Sequence, residues 1–244
     1  MTPPTIAVPS SLLAGKTALV TGASRGIGRA VSLHLAALGA RLLLVGRDAH
    51  ALDSTAQEIA TSGGTAQSMP SDLLDAAAMG RLLSCIDQEG GCDILVNAAG
   101  IGKIGQPLHE MSPQDFDAVL ATNLRAPFLL MRAVVPHMAR RGGGFIINIS
   151  SLAGQGPLAN GAAYAASKWA LNGLSYSAAE ELRGQNIRVS VVAPGSVNTS
   201  FGGSGKDRSS MLQPEDVAGI VAMLVTQPAQ SFISEVRMRP TQKP

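Results

Sequence analysis

Cysteine, aromatic residues and charge are all scarce in this chain, and each shortage excludes something. Only two cysteines occur among 244 residues, Cys85 and Cys92, in no spacing suited to metal ligation. They read as reduced structural thiols and not as a disulfide framework or zinc site. Charged residues make up 15% of the chain, and the net charge of +2 comes without any run of Lys or Arg. That leaves no electrostatic footprint for nucleic acid or an anionic membrane. No stretch approaches the ~18 consecutive apolar residues of a spanning helix. The N-terminus also lacks the charged and long apolar regions of a secretion signal, so a cytoplasmic location is expected. Histidine is scarce too: His34, His50, His109 and His137 fall at no motif position, which argues against a histidine base or metal site.

What is present is aliphatic. Apolar residues reach 45% with only 3% aromatics, a composition that suits a large core built on a parallel sheet covered on both faces. One domain is the expectation at this length. Residues 1–14 hold three prolines and several hydroxyl residues before any strand-like run, and read as a flexible arm preceding a single domain over 15–244. From Lys16 onward short aliphatic runs alternate with longer helical ones. Strands are expected at Thr17–Thr21, Arg41–Val45, Thr65–Met69, Asp93–Asn97, Gly144–Ser150, Ile187–Ala193 and Phe232–Met238, with helices between them. The first helix is expected over Gly26–Leu38. Seven strands with crossover helices predict an α/β, Rossmann-like, doubly wound parallel sheet. Ser112-Pro113-Gln114-Asp115 carries a cap, a proline and an acid where a long helix toward Met138 should start, and Gln213-Pro214-Glu215-Asp216 opens the last helix in the same way. Between them the Gly- and Ser-rich segment 202–210 reads as mobile.

Thr21-Gly22-Ala23-Ser24-Arg25-Gly26-Ile27-Gly28 falls between the first strand and the first helix. Glycines there let the chain turn sharply and let a pyrophosphate approach the helix N-terminus. A plain tight turn is the alternative, but the strand before, the helix after and the second strand beyond make up the whole dinucleotide-binding unit. At the end of that second strand, where an NAD-dependent enzyme carries an acid for the ribose hydroxyls, the chain reads Val45-Gly46-Arg47. Arg47 and Arg25 can instead clamp a 2′-phosphate, which favours NADP(H). The competing reading makes Arg47 a solvated loop residue and Asp48 a helix cap. Asp72, after the third strand, fits either an adenine contact or a cap.

Tyr164 and Lys168 are four residues apart in a segment expected to be helical, so both project from one face. A phenol is a poor acid or base at neutral pH, but a nearby ammonium and an oxidised nicotinamide favour its ionised form. Ser151 follows the buried-type strand Phe145–Ile149, at whose carboxyl end ligands bind in such sheets. Taken singly, the Tyr–Lys pair is an ordinary surface pair and Ser151 an ordinary turn cap.

Jointly these residues resemble the short-chain dehydrogenase/reductase family. The match comprises Gly-x-x-x-Gly-x-Gly after Thr21, Asn97-Ala98-Ala99-Gly100 after the fourth strand, and Asn123 in the long helix. It continues with Ser150-Ser151 after the fifth strand, Tyr164-x-x-x-Lys168, and Pro194-Gly195 with Thr199 after the sixth, in the family's order across residues 16 to 200. The resemblance implies an NADP(H)-dependent oxidoreductase interconverting a carbonyl and an alcohol. In it Ser151, selected over Ser150 by its spacing, holds the substrate carbonyl, and Tyr164 is the general acid/base. Lys168 also contacts the nicotinamide ribose, and Asn123 continues a proton relay through water. The implied cofactor contacts are Gly22, Ser24, Arg25, Gly26, Ile27, Gly28, Arg47, Asp72, Leu73, Asn97, Ala98, Ala99, Gly100, Tyr164, Lys168, Pro194, Gly195, Val197 and Thr199. A homo-oligomer, tetramer or dimer, paired through Asp115–Met138 and Ala162–Leu182, is implied as well. The glycine loop is similar to that of 3-oxoacyl-carrier-protein reductases, but the chain lacks their Asp-Gly-Gly ending and looks more like members acting on small hydroxy acids or ketones. The short, polar 202–210 segment gives little support to a bulky apolar substrate. Two rivals share the fold: a non-catalytic NADP(H) sensor, which would usually lose the Tyr or Lys, and a sugar-nucleotide epimerase or dehydratase, which normally needs a further domain.

Overall fold

The computed structural model describes residues 11–202 and 210–242. Seven parallel strands form one sheet in the order β3-β2-β1-β4-β5-β6-β7. The strands are β1 (Thr17–Thr21), β2 (Arg41–Gly46), β3 (Thr65–Pro70), β4 (Ile94–Asn97), β5 (Gly144–Ile149), β6 (Ile187–Pro194) and β7 (Glu235–Met238). The order reverses between β1 and β4, which pair Ala18 with Ile94 through Thr21 with Asn97. A crevice therefore opens at the carboxyl ends of those two strands, where the connecting chains diverge to opposite faces.

Alternation along the strands feeds two cores. Ala18, Val20, Leu42, Leu44, Val96 and Ile147 face one side, where helices α1 (Gly26–Ala37), α2 (Ala49–Thr61) and α7 (Pro214–Val225) bury Leu35, Leu52 and Val221 against them. Leu19, Leu43, Leu95 and Ile146 face the other, under α3 (Ala76–Gln88), α5 (Ala126–Arg140) and α6 (Ala162–Leu182). Period-two strands buried on both faces explain the near-continuous aliphatic runs of the sequence.

The long helix toward Met138 is present but not uniform. It begins as α4 (Pro113–Leu120), with the Ser112 hydroxyl accepting the Asp115 N–H at 3.0 Å. A π-helical turn at Ala121–Arg125 follows, and α5 then runs to Arg140. Pro127 has no N–H to offer the carbonyl of Asn123 four residues earlier, so the regular ladder fails where the turn widens. The run Pro113–Arg140 is long and apolar enough to cross a membrane by length and composition alone; here Val119, Leu130, Val134 and Met138 are buried within the protein.

Most of the expected element ends shift by no more than one residue, and two boundaries move further. The arm expected over residues 1–14 is anchored at its end: Leu13 is buried and its N–H bonds the Leu38 carbonyl at 2.8 Å, because an apolar side chain in reach of α1 packs there. The rest of that arm, residues 1–10, lies outside the described residues, as does 203–209 of the segment expected to be mobile. The last strand starts at Glu235 and not Phe232. Residues ahead of it are held to β6 by the Ser190 hydroxyl, which donates to the Ile233 carbonyl at 2.6 Å, and by the Val191 N–H, which donates to the Ser234 carbonyl at 2.9 Å.

Candidate active site

Thr21 closes β1 and its hydroxyl accepts the N–H groups of Ala98 and Ala99 at 3.1 and 3.0 Å, locking the turn after β4 against the turn after β1. This contact requires glycine. A Cβ on Gly22 would stand 3.0 Å from the Ala99 backbone, and one on Gly28 would stand 2.3 Å from the Gly22 carbonyl oxygen. Gly22 and Gly26 also adopt left-handed φ values of 68° and 55°. At Arg25, ahead of α1, no side chain caps the helix. Its first N–H groups therefore lack a side-chain acceptor and face the crevice with the dipole's positive end, the arrangement that takes a phosphate.

The crevice is a cleft of about 1340 Å³, well above the ~300–1,000 Å³ of ordinary ligand pockets and large enough for a dinucleotide plus a small substrate. Every residue named above as a cofactor or catalytic candidate lines it except Asn97 and Asn123. Arg25 and Arg47 are exposed on its wall at the glycine-rich end. Asp48 does cap α2, accepting the Ala51 N–H at 3.0 Å. Asp72 caps no helix: it accepts the Leu74 N–H at 3.0 Å within its own turn, and Asp75 caps α3 instead. The buried hydroxyls of Ser150 and Thr122, both in lining residues, have no hydrogen-bond partner among the described residues. Such orphaned groups fit a wall that a polar ligand completes.

At the other end stand Ser151, Tyr164 and Lys168. Ser151 begins the turn after β5, accepting the Ala153 N–H at 3.1 Å, and its hydroxyl stands near enough to the Tyr164 phenol to favour the ionised form. Tyr164 and Lys168 project from α6, with only 8% and 5% of their surface exposed. The Lys168 ammonium donates to the Ile149 carbonyl at 2.7 Å and sits 5.8 Å from the centre of the Tyr164 ring. Burial disfavours both charged forms. It pushes the Lys168 pKa down to about 8 and raises that of Tyr164, while the nearby Ser151 hydroxyl pulls the latter back. The sequence expectation of a phenol ionised by its lysine is thus offset here by desolvation. The pair nevertheless forms a proton-handling group beside a hydroxyl donor, with the lysine titrating near neutrality.

Asn97, expected as a cofactor contact, and Asn123, expected in a proton relay, do not line the cleft with their side chains. Both lie at most 2% exposed. Asn97 points into the sheet and donates to Asn148 Oδ1 at 2.8 Å. Asn123, in the π turn, accepts the Ile101 N–H and donates to the Ile101 carbonyl, both at 2.9 Å, and to the Ser167 hydroxyl at 3.0 Å. Ser167 in turn donates to the Tyr164 carbonyl at 2.7 Å. The side chain of Asn123 thus ties the loop after β4 to the turn of α6 that bears the tyrosine and lysine. Sequence reasoning missed Ser167, whose only signal is its place beside Lys168. It also missed Phe201, whose ring lies 5.6 Å from that of Tyr164 and closes one side of the cleft against Gly102.

Comparison with known proteins agrees with this geometry. The profile of the short chain dehydrogenase family matches residues 16–209. The crystal structure of a metagenomic short-chain oxidoreductase in complex with NADP is 50% identical, covers 95% of this chain and 100% of its own, and superposes with a TM-score of 0.84. A 3-oxoacyl (acyl-carrier-protein) reductase from Agrobacterium tumefaciens with NADP bound is 32% identical with a TM-score of 0.85, over 93% of this chain and 94% of its own. D-threitol dehydrogenase of Mycolicibacterium smegmatis is 38% identical over 191 residues, 78% of this chain and 73% of the relative.

Proposed function

The chain belongs to the short chain dehydrogenase family of oxidoreductases, and on that footing we propose that it is an NADP(H)-dependent enzyme interconverting a carbonyl and an alcohol, with Tyr164 as general acid and base. The observation that carries this reading is the convergence of the Ser151 hydroxyl, the Tyr164 phenol and the Lys168 ammonium at one end of a cleft whose other end is the glycine cradle. When bound, the nicotinamide supplies or accepts the hydride.

The protein's own part is positioning and proton transfer. The Ser151 hydroxyl donates to the substrate carbonyl oxygen and holds it beside the phenol. Tyr164 gives its proton to that oxygen as charge develops there, and takes it back in the reverse direction. Burial keeps the phenol protonated at neutral pH, which suits the acid role in carbonyl reduction. Lys168, fixed by the Ile149 carbonyl, stabilises the phenolate left after transfer and lies within reach of a ribose bound across the cleft. Asn123 acts through its grip on Ile101 and Ser167, holding the α6 turn in register. Arg25 and Arg47 on the glycine-rich wall favour a 2′-phosphate over a ribose diol, in keeping with the NADP carried by the relatives above.

A homo-oligomer, dimer or tetramer, and a cytoplasmic location complete the proposal. Phe116, Phe128 and Trp169 on α4, α5 and α6 are exposed, as an apolar surface awaiting a second copy would be. The test is NADPH oxidation by the purified protein on a panel of diketones, 3-oxoacyl thioesters and small oxo acids. Turnover on at least one class is expected; cofactor binding without turnover on any of them would contradict the reading.

A further inference from the structure

Charge is unevenly distributed along the wall of the cleft. Arg25, Arg47 and Asp72 stand at its glycine-rich end, whereas the end that holds Ser151 and Tyr164 has Lys103 and Arg239 and no carboxylate among the described lining residues. Lys103 is already committed, its ammonium 2.8 Å from Asp115 Oδ1. Arg239 enters no ion pair among the described residues. Its place beside the chemistry follows from the backbone. The Met238 carbonyl accepts the Gly195 N–H at 2.9 Å. A Cβ on Gly195 would stand 3.2 Å from both the Pro240 ring and a methyl of Leu152, and Leu152 directly follows Ser151. The stretch Met238–Pro240 therefore runs against the loop that bears the Ser151 hydroxyl, and Gln242 joins the same wall.

We propose that Arg239 is a substrate-binding residue that takes a carboxylate carried by the carbonyl substrate, making the enzyme selective for oxo acids over neutral ketones. A guanidinium is charged at every working pH and presents two parallel N–H donors to the two oxygens of a carboxylate. No carboxylate lines that end of the cleft among the described residues, and Asp216, which shares a smaller neighbouring cavity with Arg239, is engaged in capping α7 through the Gln213 N–H at 2.7 Å. The inference rests on the reductase reading of the cleft but goes beyond it, since hydride transfer needs no charge on the substrate.

The experiment measures kcat/KM with saturating NADPH for 4-oxopentanoate and its methyl ester, with matching 2-oxo and 3-oxo pairs as length variants, in the parent, Arg239→Met and Arg239→Lys. The parent should prefer the best acid over its ester by about tenfold or more, the scale of one charge-assisted contact. Arg239→Met should abolish that preference through KM, Arg239→Lys should restore part of it, and neither should move the KM for NADPH or the activity on the ester. No preference in the parent, or equal losses on acid and ester in Arg239→Met, would overturn the assignment while leaving the reductase reading intact. Calorimetric binding of the same carboxylates to the enzyme–NADP⁺ complex gives a readout independent of turnover: binding lost in Arg239→Met supports the site, and binding unchanged defeats it. Absence of turnover on every carbonyl, charged or neutral, would instead defeat the reductase reading.

Discussion

At Lys168 the cost of burial and the needs of catalysis meet in one side chain. Its folded pKa of about 8 lies below the ordinary 10.5, so below pH ~8 the folded protein carries a desolvated ammonium that disfavours folding. Between those two values the unfolded chain binds a proton that the folded chain does not, and stability contributed at this site rises with pH across that window. The ligand-free Lys168→Met variant should therefore melt above the parent at pH 7, and the gap should narrow as pH approaches 10.5; a gap independent of pH would show that burial does not strain this group. Arg47 poses a separate question at the same scale. Arg47→Asp places a carboxylate beside a 2′-phosphate and offers an acceptor to a ribose diol, so kcat/KM for NADPH relative to NADH should fall on the order of tenfold or more. Arg25 should retain part of the preference. A ratio that does not move would remove the Val45-Gly46-Arg47 corner from cofactor selection.

Among the elements, the strand–turn–helix at Gly22–Gly28 has the least room for change. Gly28→Ala drives a methyl into backbone atoms of Gly22 and Thr21, which cannot yield as a side chain tip would. A loss of ~1–3 kcal/mol is expected, seen as a Tm lowered by several degrees, with NADPH affinity reduced at least tenfold. Gly80→Ala in α3, with open space at the same distance, should instead gain ~0.5–1 kcal/mol from helix propensity. Equal effects at the two glycines would contradict the close approach. This turn was legible in the sequence because its glycines, the strand before and the helix after all point to one structure. The seven strands and the parallel, doubly wound sheet followed from short aliphatic runs alternating with longer helical ones, whereas the strand order comes from the structure. What was not legible depends on distant partners. The π turn at Ala121–Arg125 hides inside one long amphipathic run, with Pro127 just beyond it as its cue. Asn97 has the sequence position of a ligand contact, yet its side chain turns toward Asn148 on β5, fifty-one residues away. The segment Phe232–Ser234 is held by the Ser190 hydroxyl, the Val191 N–H and the Gln227 amide, contacts that periodicity does not register.

For the whole molecule, the exposed Phe116, Phe128 and Trp169 gather on the α4–α5–α6 side. Light scattering at micromolar concentration should give the mass of two or four chains, and Trp169→Glu should shift it toward one, since burying an unpaired carboxylate at an apolar contact is costly. A monomeric parent would contradict the pairing. The account as a whole depends on one group, the phenol at the inner end of the cleft, and the measurement that tests it most directly sets turnover against cofactor binding in Tyr164→Phe. Removing only the hydroxyl should leave the Kd for NADPH within about twofold while lowering kcat roughly 10²–10⁴-fold, the range general acid catalysis supplies. Turnover close to that of the parent with NADPH still bound would contradict the central claim.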